Sequence, residues 1–140
     1  YISSGPTMKI LLVIALLVSS ICALKLPTDT QTMWNNIFAP FETKCMCELK
    51  INDAAANQLY NYDCVAKVAP FPCFVRCLFK KAGLIDANNR LVRAKWVDAG
   101  PKVNGTTYDR CLTFYQCAET DTCIILADFW ECMVDHSLVA

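Results

Sequence analysis

Residues 73–86 form a helical pattern, CFVRCLFKKAGLID, that carries two cysteines on one side. Pro70 and Pro72 stand where proline is favoured, in the first turn of a helix, and Gly83 is the expected end. Cys73 and Cys77 are four residues apart, so they share one helical face and cannot reach each other at ordinary disulfide geometry. The helix is therefore expected to be bonded to neighbouring elements.

The sequence on either side of this segment also predicts helices, with little or no sheet, because no run alternates cleanly between apolar and polar residues. Polar residues that favour the starts of helices precede several of the apolar runs. The first expected helix is capped by Thr28 or Asp29 and runs to Pro40 or a little beyond. The others run from Ala54 (after Asn52 or Asp53) to Tyr60, from Leu91 to Ala99, from Thr106 or Thr107 to about Ala118, and from Cys123 (after Asp121 or Thr122) to about His136.

The last of these helices has its own constraint. Cys123 and Cys132 are nine residues apart, and nine steps of about 100° bring them to opposite sides of one helix. They cannot bond each other, so each needs a different neighbour. The sequence thus predicts a bundle of helices tied together by disulfides.

Composition limits the possible classes of protein. The chain has 140 residues, the length of one domain, and ten of them are cysteine whereas only one is histidine. This ratio favours disulfides over a zinc module, and no metal or cofactor is expected. Lys plus Arg equals Asp plus Glu at 13 each, so no net charge draws the chain to nucleic acid.

The N-terminal segment resembles a secretory signal peptide. It begins with Met8 and the basic Lys9, continues with a nine-residue apolar run, and ends in small residues. Cleavage is expected after Ala23, with Cys22 as the alternative. Residues 1–7 are expected to be upstream or non-native sequence, residues 8–23 the signal peptide, and residues 24–140 a single secreted domain. Nine cysteines would then remain, so one is left without an internal partner.

The cysteine pattern resembles that of the insect odorant-binding proteins, the pheromone-binding and general odorant-binding family. The pattern is Cys45-x27-Cys73-x3-Cys77-x33-Cys111-x11-Cys123-x8-Cys132, and the x3 and x8 spacings are its specific part. The Lys-x-Gly-hydrophobic-hydrophobic-Asp turn that ends at Asp86 is similar as well. The resemblance implies an all-α fold of six helices around one apolar cavity.

The resemblance also implies how the cysteines pair. Carried over to this chain, the three bridges are Cys45–Cys77, Cys73–Cys123 and Cys111–Cys132, with Cys47 as the alternative to Cys45 for the first position. Cys47, Cys64 and Cys117 are additional to the pattern. A Cys47–Cys64 bridge is plausible, and Cys117 would then be the odd thiol, able to link two chains.

The function that the resemblance implies is that of a secreted carrier, which binds a small hydrophobic ligand such as an odorant, a pheromone or a related semiochemical. Apolar side chains on the predicted helix faces are candidates for the cavity lining, and ordinary core packing is the alternative for each. The candidates are Phe74, Leu78, Trp96, Phe114, Tyr115, Ile125, Phe129, Trp130 and Met133.

Two other functions fit the same fold or composition. A salivary D7-like scavenger of host amines or lipid mediators would need buried carboxylates, for which Asp128 and Glu131 are candidates. A secreted structural or venom protein would have no small ligand. An enzyme is not expected, because G-x-S-x-G, Walker and H-E-x-x-H motifs are missing from the sequence.

The remaining features concern modification and partners. Asn104-Gly105-Thr106 is an N-glycosylation sequon in an expected loop. A membrane receptor is a candidate partner beside the ligand, and the chain is expected to be a monomer or a homodimer.

Overall fold

Six α-helices and one short 3-10 helix succeed one another between residues 26 and 136 of the computed structural model. The structure describes residues 5–6, 9–10, 26–60, 70–100, 103–115 and 121–136, without the side chains of Gln58, Tyr60, Phe114 and Tyr115. The helices are α1 (Thr28–Leu49), α2 (Asp53–Ala56) with the 3-10 helix Asn57–Tyr60 directly after it, α3 (Phe71–Lys81), α4 (Arg93–Val97), α5 (Gly105–Tyr115) and α6 (Thr122–Asp135).

The expectation of an all-α fold is confirmed. Across the described ranges, the β structure amounts to an isolated antiparallel bridge between Ile85 and Leu91. This bridge closes a turn organised by Asp86, whose Oδ1 accepts the backbone N–H groups of Asn88 at 2.8 Å and Arg90 at 2.9 Å. The turn returns the chain from α3 to α4.

Two helices begin where the sequence predicted. Asn52 Oδ1 accepts the N–H of Ala55 at 2.9 Å at the start of α2, and Asp121 Oδ1 accepts the N–H of Cys123 at 2.8 Å at the start of α6. Each side chain satisfies a donor that has no partner within the helix, which is the stabilising role of a helix N-cap.

Two other helices begin earlier than predicted. The start of α5 is Gly105 rather than Thr106 or Thr107, because the side chain of Asn104 takes the capping position and accepts the N–H of Thr106 at 2.8 Å. Helix α1 begins directly after Pro27 without a side-chain cap. The Pro27 carbonyl accepts its first helical bond, from the N–H of Gln31 at 2.8 Å.

Helix α1 continues through Pro40 to Leu49, farther than the sequence indicated. Proline inside a helix removes one backbone donor and normally ends or kinks the helix. Tertiary contacts hold the second half of α1 in place, because Cys45 is fully buried and bonded to Cys77 on α3.

The end of α3 at Gly83 is also confirmed, and it has the hydrogen bonds of a Schellman motif. The N–H of Leu84 reaches the Phe79 carbonyl at 2.9 Å, and the N–H of Gly83 reaches the Lys80 carbonyl at 3.3 Å. Gly83 has a φ of 74°, the left-handed region that glycine adopts without steric cost. Lys50, after α1, adopts φ 55° although it carries a side chain.

Substitutions at these two left-handed positions should change the free energy of unfolding in opposite directions. Gly83→Ala should lower the free energy of unfolding by about 1 kcal/mol, because a Cβ there has open space and only the left-handed backbone opposes it. Lys50→Gly should raise it by a few tenths to about 1 kcal/mol. Urea unfolding of both variants measures the effects, and a neutral Gly83→Ala would contradict the role of this turn.

Three disulfides join the long helices. Cys45–Cys77 bonds α1 to α3, Cys73–Cys123 bonds α3 to α6, and Cys111–Cys132 bonds α5 to α6. These are the pairings that the resemblance implied, with Cys45 and not Cys47 in the first position. Each half-cystine of α6 reaches a different neighbour, as the spacing required.

The proposed Cys47–Cys64 bridge is not formed, because Cys47 is a free, exposed cysteine. Its neighbour Cys45 takes the bridge to α3, and residues two apart on a helix point in widely different directions, so Cys47 faces solvent when Cys45 faces the core. Cys64 and Cys117 lie outside the described residues.

Removing one disulfide should lower the free energy of unfolding much more than removing the free thiol of Cys47. The double variant Cys73→Ala/Cys123→Ala should lower the free energy of unfolding by about 2–5 kcal/mol, since the bridge closes a loop with a sequence separation of 50. Cys47→Ala is the matched control and should change it by less than about 0.5 kcal/mol. Denaturant unfolding without reductant makes the comparison, and equal effects would argue against the disulfide framework.

The middle of the bundle is filled by aromatic side chains. Seven rings from α1, α3, α4, α5 and α6 contact one another with centroids 4.9 to 6.4 Å apart. The two central tryptophans also satisfy their donors, because Nε1 of Trp96 donates to the Leu84 carbonyl at 3.0 Å and Nε1 of Trp130 donates to the Leu59 carbonyl at 2.7 Å. The cluster comprises Trp34, Phe38, Phe79, Trp96, Tyr108, Phe129 and Trp130.

Candidate ligand-binding pocket

A pocket of about 180 Å³ lies beside the aromatic cluster, where the start of α1, the segment before α5 and the end of α6 meet. Helical spacing brings its walls together: Thr30 and Trp34 are four residues apart on α1, and Trp130 and Val134 are four apart on α6. The lining is Leu26, Thr30, Trp34, Val103, Asn104, Thr107, Trp130, Met133, Val134 and His136.

The inner wall of the pocket is apolar and the outer edge is polar. Trp34, Trp130 and Met133 are buried, and Thr30, 6% exposed, is the buried polar side chain among them. Asn104 and His136 are the lining residues that are exposed, so they mark where the pocket meets solvent. This arrangement suits a small apolar guest with one polar group.

Two of the nine predicted lining residues, Trp130 and Met133, do line this pocket. Four others are buried in the core and do not belong to its lining: Phe74, Leu78, Trp96 and Phe129, each 0% exposed. Ile125 is half-buried and also outside the lining, and the side chains of Phe114 and Tyr115 are not described.

Phe129 shows why a common lining of α3 and α6 does not follow from helical spacing. Phe129 and Met133 share one face of α6, yet the Phe129 ring packs edge-on against Trp96 at 5.0 Å and Tyr108 at 5.4 Å. The aromatic cluster therefore occupies the space beside Phe129, and only the last turns of α6 border the pocket.

Sequence reasoning missed most of the pocket wall. Thr30 and Trp34 belong to α1, which contributes none of the predicted lining residues, and Thr107 and Val134 carry no motif. These residues line one pocket because the first turns of α1 lie close to the last turn of α6. That proximity is a tertiary property that no local pattern contains.

A second, larger groove lies on the surface between α1 and α3, with a volume of about 610 Å³. Its lining is mostly charged, and Lys81 Nζ lies 3.3 Å from Glu48 Oε1 across it. Lys80 is exposed, so this end of α3 is solvated. The pocket beside the aromatic cluster is the better candidate for an apolar ligand.

Cys111, Cys132 and His136 bring their sulfur and nitrogen atoms to within 4.8 Å of one another. The two sulfurs are bonded to each other, so they are not thiolates and His136 is the one remaining ligand in this group. Nδ1 of His136 lies 2.8 Å from the Cys132 carbonyl, which holds the ring at the end of α6.

An exposed ion pair joins α4 to α5 near the pocket. Arg93 donates from Nε to Asp109 Oδ1 and from Nη2 to Asp109 Oδ2, both at 3.0 Å. The hydrogen bond from Arg93 lowers the pKa of Asp109 below its ordinary value. Both groups are solvent-exposed, so the pair orients the two helices more than it stabilises them.

An all-α fold in which three disulfides join the described helices, with a pocket that has an apolar inner wall and a polar opening, defines a disulfide-bonded helical binding protein. The PBP/GOBP family model matches residues 28–136, and the chain belongs to this family, the insect odorant- and pheromone-binding proteins. No curated protein and no solved structure matches the chain significantly.

Family membership establishes the general class. Members are binding proteins rather than enzymes, and they take small hydrophobic ligands as soluble secreted carriers. Among the helices that the structure describes, none combines the length and apolar character needed to cross a membrane.

Proposed function

We propose that this protein is a secreted carrier that holds an odorant, a pheromone or a related semiochemical in the pocket between α1, α5 and α6. The observation that carries the proposal is the pocket itself: Trp34, Trp130 and Met133 are buried but border about 180 Å³ of free volume, in a chain of a ligand-binding family. Filling this volume with an apolar guest removes apolar surface from water, which supplies the driving force.

The pocket volume favours a small guest. About 180 Å³ is somewhat more than the roughly 150 Å³ of an apolar cavity that binds benzene, and less than the roughly 300 Å³ at which drug-sized pockets begin. A single aromatic or terpene-like ring fits this range better than a long hydrocarbon chain. The buried hydroxyl of Thr30 donates to Asp29 Oδ1 at 3.5 Å, so its oxygen is suited to accept a hydrogen bond from a hydroxyl of the guest.

The described residues give less support to the alternatives. A scavenger of amines needs a carboxylate in the binding site, whereas the lining of this pocket contains none. Asp128 and Glu131 are half-buried on α6 and lie outside that lining. A structural or venom role without a ligand gives no use to the free volume beside the six buried apolar side chains of the lining.

Filling the pocket with a side chain should abolish binding. Thr107 lies half-buried in the lining, and Thr107→Trp places a large ring in the volume that a guest would take. We expect the affinity for acetophenone, a one-ring ketone, to fall at least tenfold. Titration calorimetry measures the affinity, and circular dichroism verifies the fold.

The matched control is Thr113→Trp, on the same helix but exposed and outside the lining. It should bind acetophenone like the unsubstituted protein. If the unsubstituted protein binds neither acetophenone nor other one-ring ketones and alcohols, the carrier function is refuted. If both variants bind normally, the ligand lies elsewhere in the fold.

Secretion is part of the proposal. The basic start, apolar run and small-residue end of residues 8–23 support cleavage by signal peptidase. Apart from Lys9 and Ile10, this segment lies outside the described residues. N-terminal sequencing of protein exported by insect cells should begin at Leu24 or one residue earlier. Export with Met8 still present would contradict the signal peptide.

Delivery of the ligand to a membrane receptor completes the proposal. The odd number of cysteines in residues 24–140 is accounted for by Cys47, which is free and exposed, so Cys47 rather than Cys117 is the thiol that could link two chains. Cys117 lies outside the described residues.

A further inference from the structure

Asn104 belongs to two features at once: it is the acceptor of the sequon Asn104-Gly105-Thr106, and it is one of the exposed residues at the edge of the pocket. We infer that Asn104 carries an N-linked glycan that stands at the pocket mouth and slows the passage of the ligand. The inference rests on the proposed function, because it concerns the entry and exit of the ligand at the same pocket.

The local geometry leaves the acceptor atom available. Asn104 Oδ1 accepts the N–H of Thr106 at 2.8 Å, and the Asn104 carbonyl accepts the N–H of Tyr108 at 3.0 Å. Both bonds use oxygen atoms, whereas glycosylation takes place at Nδ2. The cap of α5 therefore survives the modification, because the glycosylated amide keeps its oxygen.

The transfer is balanced with one co-reactant, a lipid-linked oligosaccharide diphosphate of the secretory pathway. A bond forms between Nδ2 and C1 of the first sugar, and the bond between that C1 and the diphosphate oxygen breaks. The amide gives up one proton to solvent water, and the lipid diphosphate leaves with the bonding electrons. The step requires that Asn104 be exposed, as it is.

The position of Asn104 explains why the glycan would affect the pocket. Seven of the lining residues are buried and Thr107 is half-buried, so solvent reaches the pocket beside Asn104 and His136. The first sugar is comparable in size to the guest that the pocket holds. Attached at this edge, it obstructs the opening without occupying the interior, so it should slow entry and exit together and leave the affinity almost unchanged.

The experiment compares two forms of the protein secreted by insect cells. Peptide mass spectrometry should find Asn104 glycosylated. The reference form is Thr106→Ala, which removes the sequon but leaves Asn104 and its cap of α5 in place, because Thr106 is exposed, lies outside the pocket lining and donates to Asn104 from its backbone N–H. Stopped-flow tryptophan fluorescence, with Trp34 and Trp130 in the pocket wall, follows acetophenone binding. Association and dissociation should both be at least threefold slower for the glycosylated form.

A glycan attached at a different site tests whether the position of the glycan, and not merely its presence, slows binding. Arg90→Thr added to Thr106→Ala creates the sequon Asn88-Asn89-Thr in the exposed turn between α3 and α4, away from the pocket lining. The backbone N–H of residue 90 still reaches Asp86, so the turn is preserved. This form should bind acetophenone as fast as Thr106→Ala alone.

Each outcome decides a different point. An unmodified Asn104 in the secreted protein overturns the inference, and so do equal rates for the glycosylated and Thr106→Ala forms. Slow binding by the form with the relocated glycan overturns the placement at the mouth. If Thr106→Ala does not bind acetophenone or any one-ring ketone or alcohol, the proposed function fails, and the gating role falls with it whatever the glycan occupancy.

Discussion

Two helices that each carry two half-cystines constrain the rest of this structure. On α3, Cys73 and Cys77 share a face and bond to α6 and α1, and on α6, Cys123 and Cys132 lie on opposite sides and bond to α3 and α5. Four of the helices thereby form one covalent network. Such a network restricts the unfolded chain, so the folded chain depends less on a perfectly filled interior.

The interior has two parts that play different roles. The aromatic cluster around Trp96 and Trp130 fills the centre and satisfies both indole donors, which fixes the helices relative to one another. The pocket lies at one side of this cluster, where α1 begins and α6 ends. Trp34 and Trp130 belong to both, so the rigid cluster also forms the inner wall of the pocket.

Polar residues at the outer edge give the pocket its chemistry. Asn104 caps α5, and His136 is held at the end of α6 by the Cys132 carbonyl, so both helix ends meet at the opening. Both residues are exposed, whereas the seven aromatic rings that fill the centre of the bundle are buried.

The sequence by itself determined the helices, several of their ends and the demand that α6 be bonded on two sides, because helical spacing and turn chemistry are local properties. Gly83, Asn52 and Asp121 show this directly. Only the tertiary structure decided which apolar residues border free volume. Phe74, Leu78, Trp96 and Phe129 have the same helical patterning as Trp130 and Met133, yet contacts from other helices bury them in the core. Periodicity identifies the inward face of a helix, and the packing of distant segments determines whether a ring or a cavity lies against it.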